Sequence, residues 1–258
     1  MKISVISYAF SGLQAEGRVD LFGYLETCRY RFGLRTADIW SGSLASLEED
    51  YLQKVKDALA ERELDLVCLA VDGAELWVDD PDRREQNYRA ALAYLRAAEM
   101  LGARTVRFNT GGAGDDMVWA DEPFDYVLQR WCEYAQRAYD GGYRVGPENH
   151  WGPETVPGTL KGLCQAVDSP AFGVLLHVAR WRGPDAGSGD EMLLPWTMHT
   201  HLPPSLDEVA LAAKMAMLRD AGYQGCWGVE GVSTRYSEIG LWVARVRDVL
   251  ERWRQGLS

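Results

Sequence analysis

The chain has no CxxC pair, only four histidines, no excess of basic charge, and no apolar run near the ~18 residues that a membrane span requires. Each absence removes something. The five cysteines, Cys28, Cys68, Cys132, Cys164 and Cys226, are odd in number and fall inside predicted elements rather than loops, so they read as reduced, structural residues. With 27 basic against 38 acidic residues the formal charge is −11, which repels phosphate backbones and anionic lipid surfaces. Nucleic acid and membrane are therefore excluded as expected partners. The opening MKISVISYAF is interrupted too soon to be a signal peptide, so a cytoplasmic location is expected. Homo-oligomerisation is left open.

What is present is 258 residues, 47% of them hydrophobic, the size of one domain built as a single (β/α)8 TIM barrel, which takes about 250 residues. Apolar runs of strand length fall at 2–8, 36–41, 65–71, 104–109, 144–149, 172–178, 197–202 and 225–231, with helical periodicity between them. The strict alternation predicts an α/β fold with parallel strands. Ser46 and Glu49 stand in capping-box spacing, and Asp80 followed by Pro81 predicts another helix start. Phe124, Val127, Leu128, Trp131, Ala135 and Ala138 share one helical face, as do Ile239, Val243, Val246, Leu250 and Trp253. The sixth crossover is irregular: 182–190 (RGPDAGSGD) reads as loop, with a helical turn only over Glu191–Leu194. GGAGDD at 111–116 follows a strand as a phosphate loop would, but it lacks the P-loop lysine and reads as a flexible rim.

Glu148, His177, His201 and Glu230 lie at the ends of four successive apolar runs, VGPENH, FGVLLHVA, WTMHTHL and GCWGVEGV, separated by 29, 24 and 29 residues. Each gap is about one strand-plus-helix unit, so in a closed ring the four side chains converge at one mouth. A lone buried Glu or His is more often a paired structural residue. Four in phase at strand ends favour a site, because burying two carboxylates without a cation is costly. Strand parity gives Glu148 and His150 a common face, and likewise His199 and His201. Tyr8 and Asn109 end the first and fourth predicted strands. Trp40, Trp77, Trp119, Trp151 and Trp181 fall at or just after strand ends, where indole faces suit sugar rings, although any one of them equally suits packing at the rim. Arg180, Arg182 and Arg235 also fall near that mouth.

The segments ISVISYAF, DLFGYLETCRYRFGLRTADIW, AAEMLGARTVRF, PENHWG, LLHVARW, MHTHL and LRDAGYQGCWGVEG, in this order, resemble the xylose-isomerase-like superfamily of sugar isomerases and epimerases, which shares its fold with endonuclease IV. The resemblance implies one divalent metal held by Glu, Asp, His and Glu from strands five to eight. Glu148, His201 and Glu230 match three of these. At the second position the chain departs, reading Leu176, His177, Val178, Ala179, Arg180 where relatives carry an aspartate. Two outcomes stand open: His177 binds the metal, shifting preference from Mg toward Zn, Fe, Co or Ni with Mn retained, or the metal is lost and Arg180 balances the carboxylates.

The expectation is a metal-dependent isomerase or epimerase of a sugar or polyol working through an enediolate. Its metal, one ion of Mn, Zn, Co or Fe, is held by Glu148, His177, His201 and Glu230. Glu148 and Glu230 move the proton, and Tyr8, Trp40, Asn109, His150, Trp151, Arg180, Trp181 and His199 contact the carbohydrate. A lyase or dehydratase using the same enediolate, and a metal-free sugar-binding pseudoenzyme, are the alternatives. A repair endonuclease is disfavoured by the acidic charge and by four histidines, too few for a multi-metal cluster.

Overall fold

A computed structural model describes residues 2–112 and 116–257. Its strands are β1 (Lys2–Val5), β2 (Thr36–Trp40), β3 (Asp65–Val71), β4 (Thr105–Phe108), β5 (Arg144–Gly146), β6 (Val174–His177), β7 (Thr197–Leu202) and β8 (Cys226–Val229). The helices between and after them are α1 (Ser11–Ala15), α2 (Leu21–Glu26), α3 (Glu49–Glu61), α4 (Pro81–Leu101), α5 (Asp121–Gly141), α6 (Pro157–Val167), α7 (Gly189–Leu193), α8 (Glu208–Asp220) and α9 (Tyr236–Arg254). Among the described residues no helix is long and apolar enough to cross a membrane.

Every strand pairing is parallel, in two half-rings ordered β1-β8-β7-β6 and β2-β3-β4-β5. Single bridges span the seams, Ile6 to Asp38 on one side and Val145 to Phe172 and Glu148 to Leu175 on the other. The expected parallel α/β barrel is therefore what the chain forms. Its strands are covered on both faces and so read as near-continuous apolar runs. The main core lies between ring and helices, and a separate small cluster of Ile6, Cys68, Ala70, Leu175 and Met198 fills the ring itself.

Local chemistry explains most element boundaries. Asp80 accepts hydrogen bonds from the Asp82 and Arg83 amides at 2.9 and 3.4 Å with Pro81 in the first turn, and Asp207 accepts from the Ala210 amide at 2.7 Å. Gly102 and Gly142 end α4 and α5 in the left-handed conformation, φ 70° and 73°, which returns the chain to the next strand. Trp131, Val127, Ala135 and Ala138 are buried on α5, with Trp131 packed edge-on against Phe172 at 5.3 Å, while Phe124 and Leu128 flank the core.

Several boundaries move. The first strand ends at Val5, and Tyr8 belongs to a tight helical turn over Ser7–Phe10. The fifth ends at Gly146 because Pro147 has no amide to continue the ladder. The Ser46 hydroxyl accepts from the Glu48 amide at 3.0 Å, two residues ahead of the cap position, and Glu48 rather than Ser46 occupies the cap of α3. The sixth crossover coils into α7 from Gly189, two residues before the expected turn. All five cysteines are free, as expected; four are buried and Cys132 is exposed on α5. At the expected flexible rim, Gly111 is bridged to Trp77, where a Cβ would meet the Trp77 carbonyl oxygen at 2.0 Å, and 113–115 lie outside the described residues.

Candidate metal centre

Glu148 sits just beyond β5, His177 ends β6, His201 lies in β7, and Glu230 follows β8. The Leu175 amide donates to the Pro147 carbonyl at 2.9 Å and the Glu230 amide to the Leu202 carbonyl at 3.2 Å, so neighbouring strands fix both glutamates. One ligand atom from each of the four residues lies within 4.8 Å of the others, and all four residues are buried. Glu148 Oε1 is 2.8 Å from His201 Nδ1 and 3.1 Å from His177 Nδ1. Glu230 Oε2 faces the same two nitrogens at 3.1 and 2.9 Å.

The charges are tightly linked. Burial pushes the Glu148 carboxyl up, but His201, Arg107 and hydrogen bonds from His150 and His177 hold it well below the usual carboxylate range. For Glu230 burial is again the opposing effect, and His201 dominates in holding it low. Burial alone would discharge His201, yet the two glutamates raise it to about 10, and His177 is raised for the same reason.

This donor set fits a divalent ion. Glu230 Oε2 is buried without a hydrogen-bond partner, and both Nδ1 atoms aim at the gap between the carboxylates. Two carboxylate oxygens and two imidazole nitrogens are ordinary ligands of Zn, Fe, Co or Mn. Separations near 3 Å match neighbouring ligands about 2.1 Å from a common centre.

All four histidines of the chain gather here. The His150 Nδ1 atom is 3.3 Å from Glu148 Oε1, and its ring lies 3.8 Å from the indole of Trp151, a half-exposed residue at the mouth. His199 instead lies one layer deeper, fully buried, with Nε2 2.9 Å from Asp38 Oδ2. Gly228 makes that possible, because a Cβ there would come 2.9 Å from the same His199 nitrogen. Asp38 also accepts from the Ser4 hydroxyl and from the Cys68 amide at 3.1 Å. Burial raises the Asp38 carboxyl, but the His199 ring and the Ser4 hydrogen bond hold it below its ordinary value.

The structure places the other candidates unevenly. Tyr8 packs edge-on to Trp40 at 5.0 Å, Trp40 Nε1 donates to Asp72 at 2.6 Å, and buried Asn109 donates to the same carboxylate at 3.1 Å. Trp181 is turned toward α7, donating to Asp190 at 2.7 Å. Arg182 grips the loop after β5 through Thr155 at 2.7 Å and Gly152 at 3.0 Å, and Arg235 pairs with Glu238. Arg180 is exposed, and no carboxylate among the described residues pairs with its guanidinium. The carboxylate-balancing task foreseen for Arg180 falls to Arg107 of β4, whose Nε is 3.0 Å from Glu148 Oε2.

Sequence reasoning missed Arg107, Asp38, Asp72, Asn149 and Glu154. Asn149 clamps the end of β6, donating to the His177 and Arg180 carbonyls at 2.9 and 3.0 Å and accepting from the His177 amide at 2.7 Å. Glu154 accepts from the Thr110 amide at 2.8 Å, and burial pushes its carboxyl up to about 8. A signal existed for two of them: Asp38 and Arg107 are lone charges inside apolar strand runs, TADIW and TVRF.

Residues 30–182 match the family described as xylose isomerase-like TIM barrel, a span that includes Glu148 and His177. No curated protein matches the sequence. The fold is similar to a probable 3-DHS dehydratase, AsbF, involved in petrobactin synthesis in Bacillus anthracis (TM-score 0.74, 14% identity, covering 97% of this chain and 99% of that one). A xylose isomerase-like TIM barrel protein from Mycobacterium smegmatis, crystallised with magnesium, gives TM-score 0.73 at 16% identity over 100% of this chain and 98% of that one. A D-psicose 3-epimerase from Clostridium cellulolyticum H10, crystallised with D-tagatose, gives 0.73 at 15% identity over 99% of both. At these identities the likeness is one of fold.

Proposed function

We propose that this chain, which belongs to the xylose isomerase-like TIM barrel family, is a divalent-metal-dependent isomerase or epimerase of a sugar or polyol. The observation that carries this reading is the convergence of four buried ligand atoms, two carboxylate oxygens and two imidazole nitrogens, within 4.8 Å at one end of the ring. Glu148, His177, His201 and Glu230 would hold the ion, which would supply a positive centre for the adjacent oxygens of a hydroxy-ketone and so acidify the C–H between them.

The remaining steps belong to the chain. Glu230, whose carboxylate is held ionised beside His201, would take the proton, giving an enediolate. Returning it on the other carbon isomerises the sugar, and returning it from the Glu148 side inverts the original carbon. His150 and Trp151 at the mouth offer a polar edge and an aromatic face to a sugar ring.

The test is incubation of metal-loaded protein with a panel of keto-sugars in deuterated water. The expected product has the mass of the substrate plus one deuterium beside the carbonyl, and Glu230→Gln slows its formation by about 100-fold or more. Products reduced in mass by water, or two fragments, would assign a lyase instead. Protein that holds no metal and labels no sugar would overturn the reading.

A further inference from the structure

Glu148 is held by two different sets of groups, one on each oxygen. Oε1 faces the imidazoles of His201, His177 and His150, while Oε2 lies 3.0 Å from Arg107 Nε. Arg107 is itself fixed from within its own half-ring, by groups on and just past β3 and β4. Its Nη1 donates to Asp72 Oδ1 at 2.6 Å, Asn109 Oδ1 at 3.1 Å and the Val71 carbonyl at 3.1 Å. Asp72 is anchored in turn by Trp40 Nε1 at 2.6 Å and by its own amide, which donates to Ser41 Oγ at 3.0 Å. Among the described residues no arginine or lysine lies within ion-pair distance of Glu230, whose Oε2 faces the two histidines.

We infer that Arg107 is the positioning residue of the metal centre: by occupying Glu148 Oε2 it leaves Oε1 alone to face the ion and makes the two glutamates unequal. This rests on the metal-dependent reading above. Arg107 is only 2% exposed, so it acts on the site through Glu148 and not by touching a bound sugar. A ligating carboxylate otherwise uses either one oxygen or both, and a guanidinium seated on the second oxygen removes the choice. The contact is an ion pair without hydrogen-bond angles, so charge and position hold it rather than a directed bond.

The test uses Co(II) alone as probe, added to metal-free full-length protein, with its visible absorption as readout. With wild type, one oxygen of Glu148 ligates. In Arg107→Met both become available, coordination number rises, and the absorption band should fall about two-fold in intensity and shift. Arg107→Lys keeps the charge and should recover part of the wild-type band. Asp72→Asn, at a partly exposed position, loosens Arg107 without removing it and should move the band in the same direction by less; it decides the matter if Arg107→Met does not fold. Bands and Co(II) affinities identical to wild type in whichever of Arg107→Met and Asp72→Asn folds would overturn the inference and leave Arg107 a structural ion-pair member. No cobalt uptake by wild type would overturn both this inference and the metal-dependent reading, an outcome distinct from uptake that ignores Arg107.

Discussion

The half-ring β6-β7-β8-β1 supplies His177, His199, His201 and, just past β8, Glu230, whereas the half-ring β2-β3-β4-β5 supplies Asp38, Arg107 and, just past β3 and β5, Asp72 and Glu148. One side carries the interior imidazoles of the strands and the other most of the fixed charge. Their contacts cross the ring: His199 to Asp38 at 2.9 Å, His201 to Glu148 at 2.8 Å, His177 to Glu148 at 3.1 Å. Among the described residues the strand pairing at the seams between the halves consists of isolated bridges rather than ladders. The buried ionic contacts therefore tie together two sheets whose shared ladders are short, and the groups that tie them are the groups that form the candidate site. Such pairs need not stabilise the fold relative to apolar packing, but removing one member strands its partner in a dry interior.

The deeper crossing pair gives the largest expected effect. Asp38→Ala leaves His199, the Ser4 hydroxyl and the Cys68 amide without their acceptor and should cost about 3–5 kcal/mol in denaturant unfolding. Asp38→Asn, which keeps an acceptor oxygen, should cost clearly less. A loss under about 1 kcal/mol in Asp38→Ala would mean that the crossing contacts do not hold the halves together.

The upper pairs are tested with metal. Zinc or manganese at 100 to 1,000 times its dissociation constant should stabilise wild type by about 3–4 kcal/mol, read as a rise in melting temperature. His177→Ala should lose most of that rise, and His177→Asp should restore it with preference moved toward Mn or Mg. A melting response in His177→Ala equal to wild type would remove His177 from the ligand set. The response also has a sign in pH. His201 is raised to about 10 in the metal-free protein, so its contribution to stability is complete below the ordinary histidine value and is lost as pH rises toward 10. Metal must displace the same proton, so affinity should climb with pH over that interval. Affinity that is flat with pH would show that no histidine proton is displaced.

The smallest effect belongs outside the ring. Arg137 on α5 forks onto Glu99 of α4 at 2.7 and 2.8 Å, both side chains about a third exposed. Glu99→Gln should cost under about 1 kcal/mol and leave the metal response unchanged. A loss as large as that of Asp38→Ala would erase the contrast between interior and exterior pairs.

Much of this was legible in the residues. The eight apolar runs located the strands, and Glu148, His177, His201 and Glu230 stood out because each sits at the end of one of four successive runs. Parity was the limit of that reading. His199 and His201 share a face, yet two residues of strand rise, about 6.6 Å, separate a residue at the mouth from one in the layer beneath. Trp181 was placed at the mouth by its strand end, while its direction was set by Asp190, nine residues on. Arg107 and Asp38 showed as anomalies in apolar strands, but their partners lie 41 and 161 residues away.

By itself the sequence determined the alternation of strand and helix, the parallel ring it closes into, and the side of the ring where acid and imidazole collect, because hydrophobic period and chain-order spacing are local properties. Tertiary structure alone decided which charge answers which. It set Arg107 rather than Arg180 against Glu148 and sent His199 down to Asp38, because the depth of a side chain in a barrel depends on the stagger of strands distant in the chain, and a buried charge is settled by whichever partner that stagger brings within reach.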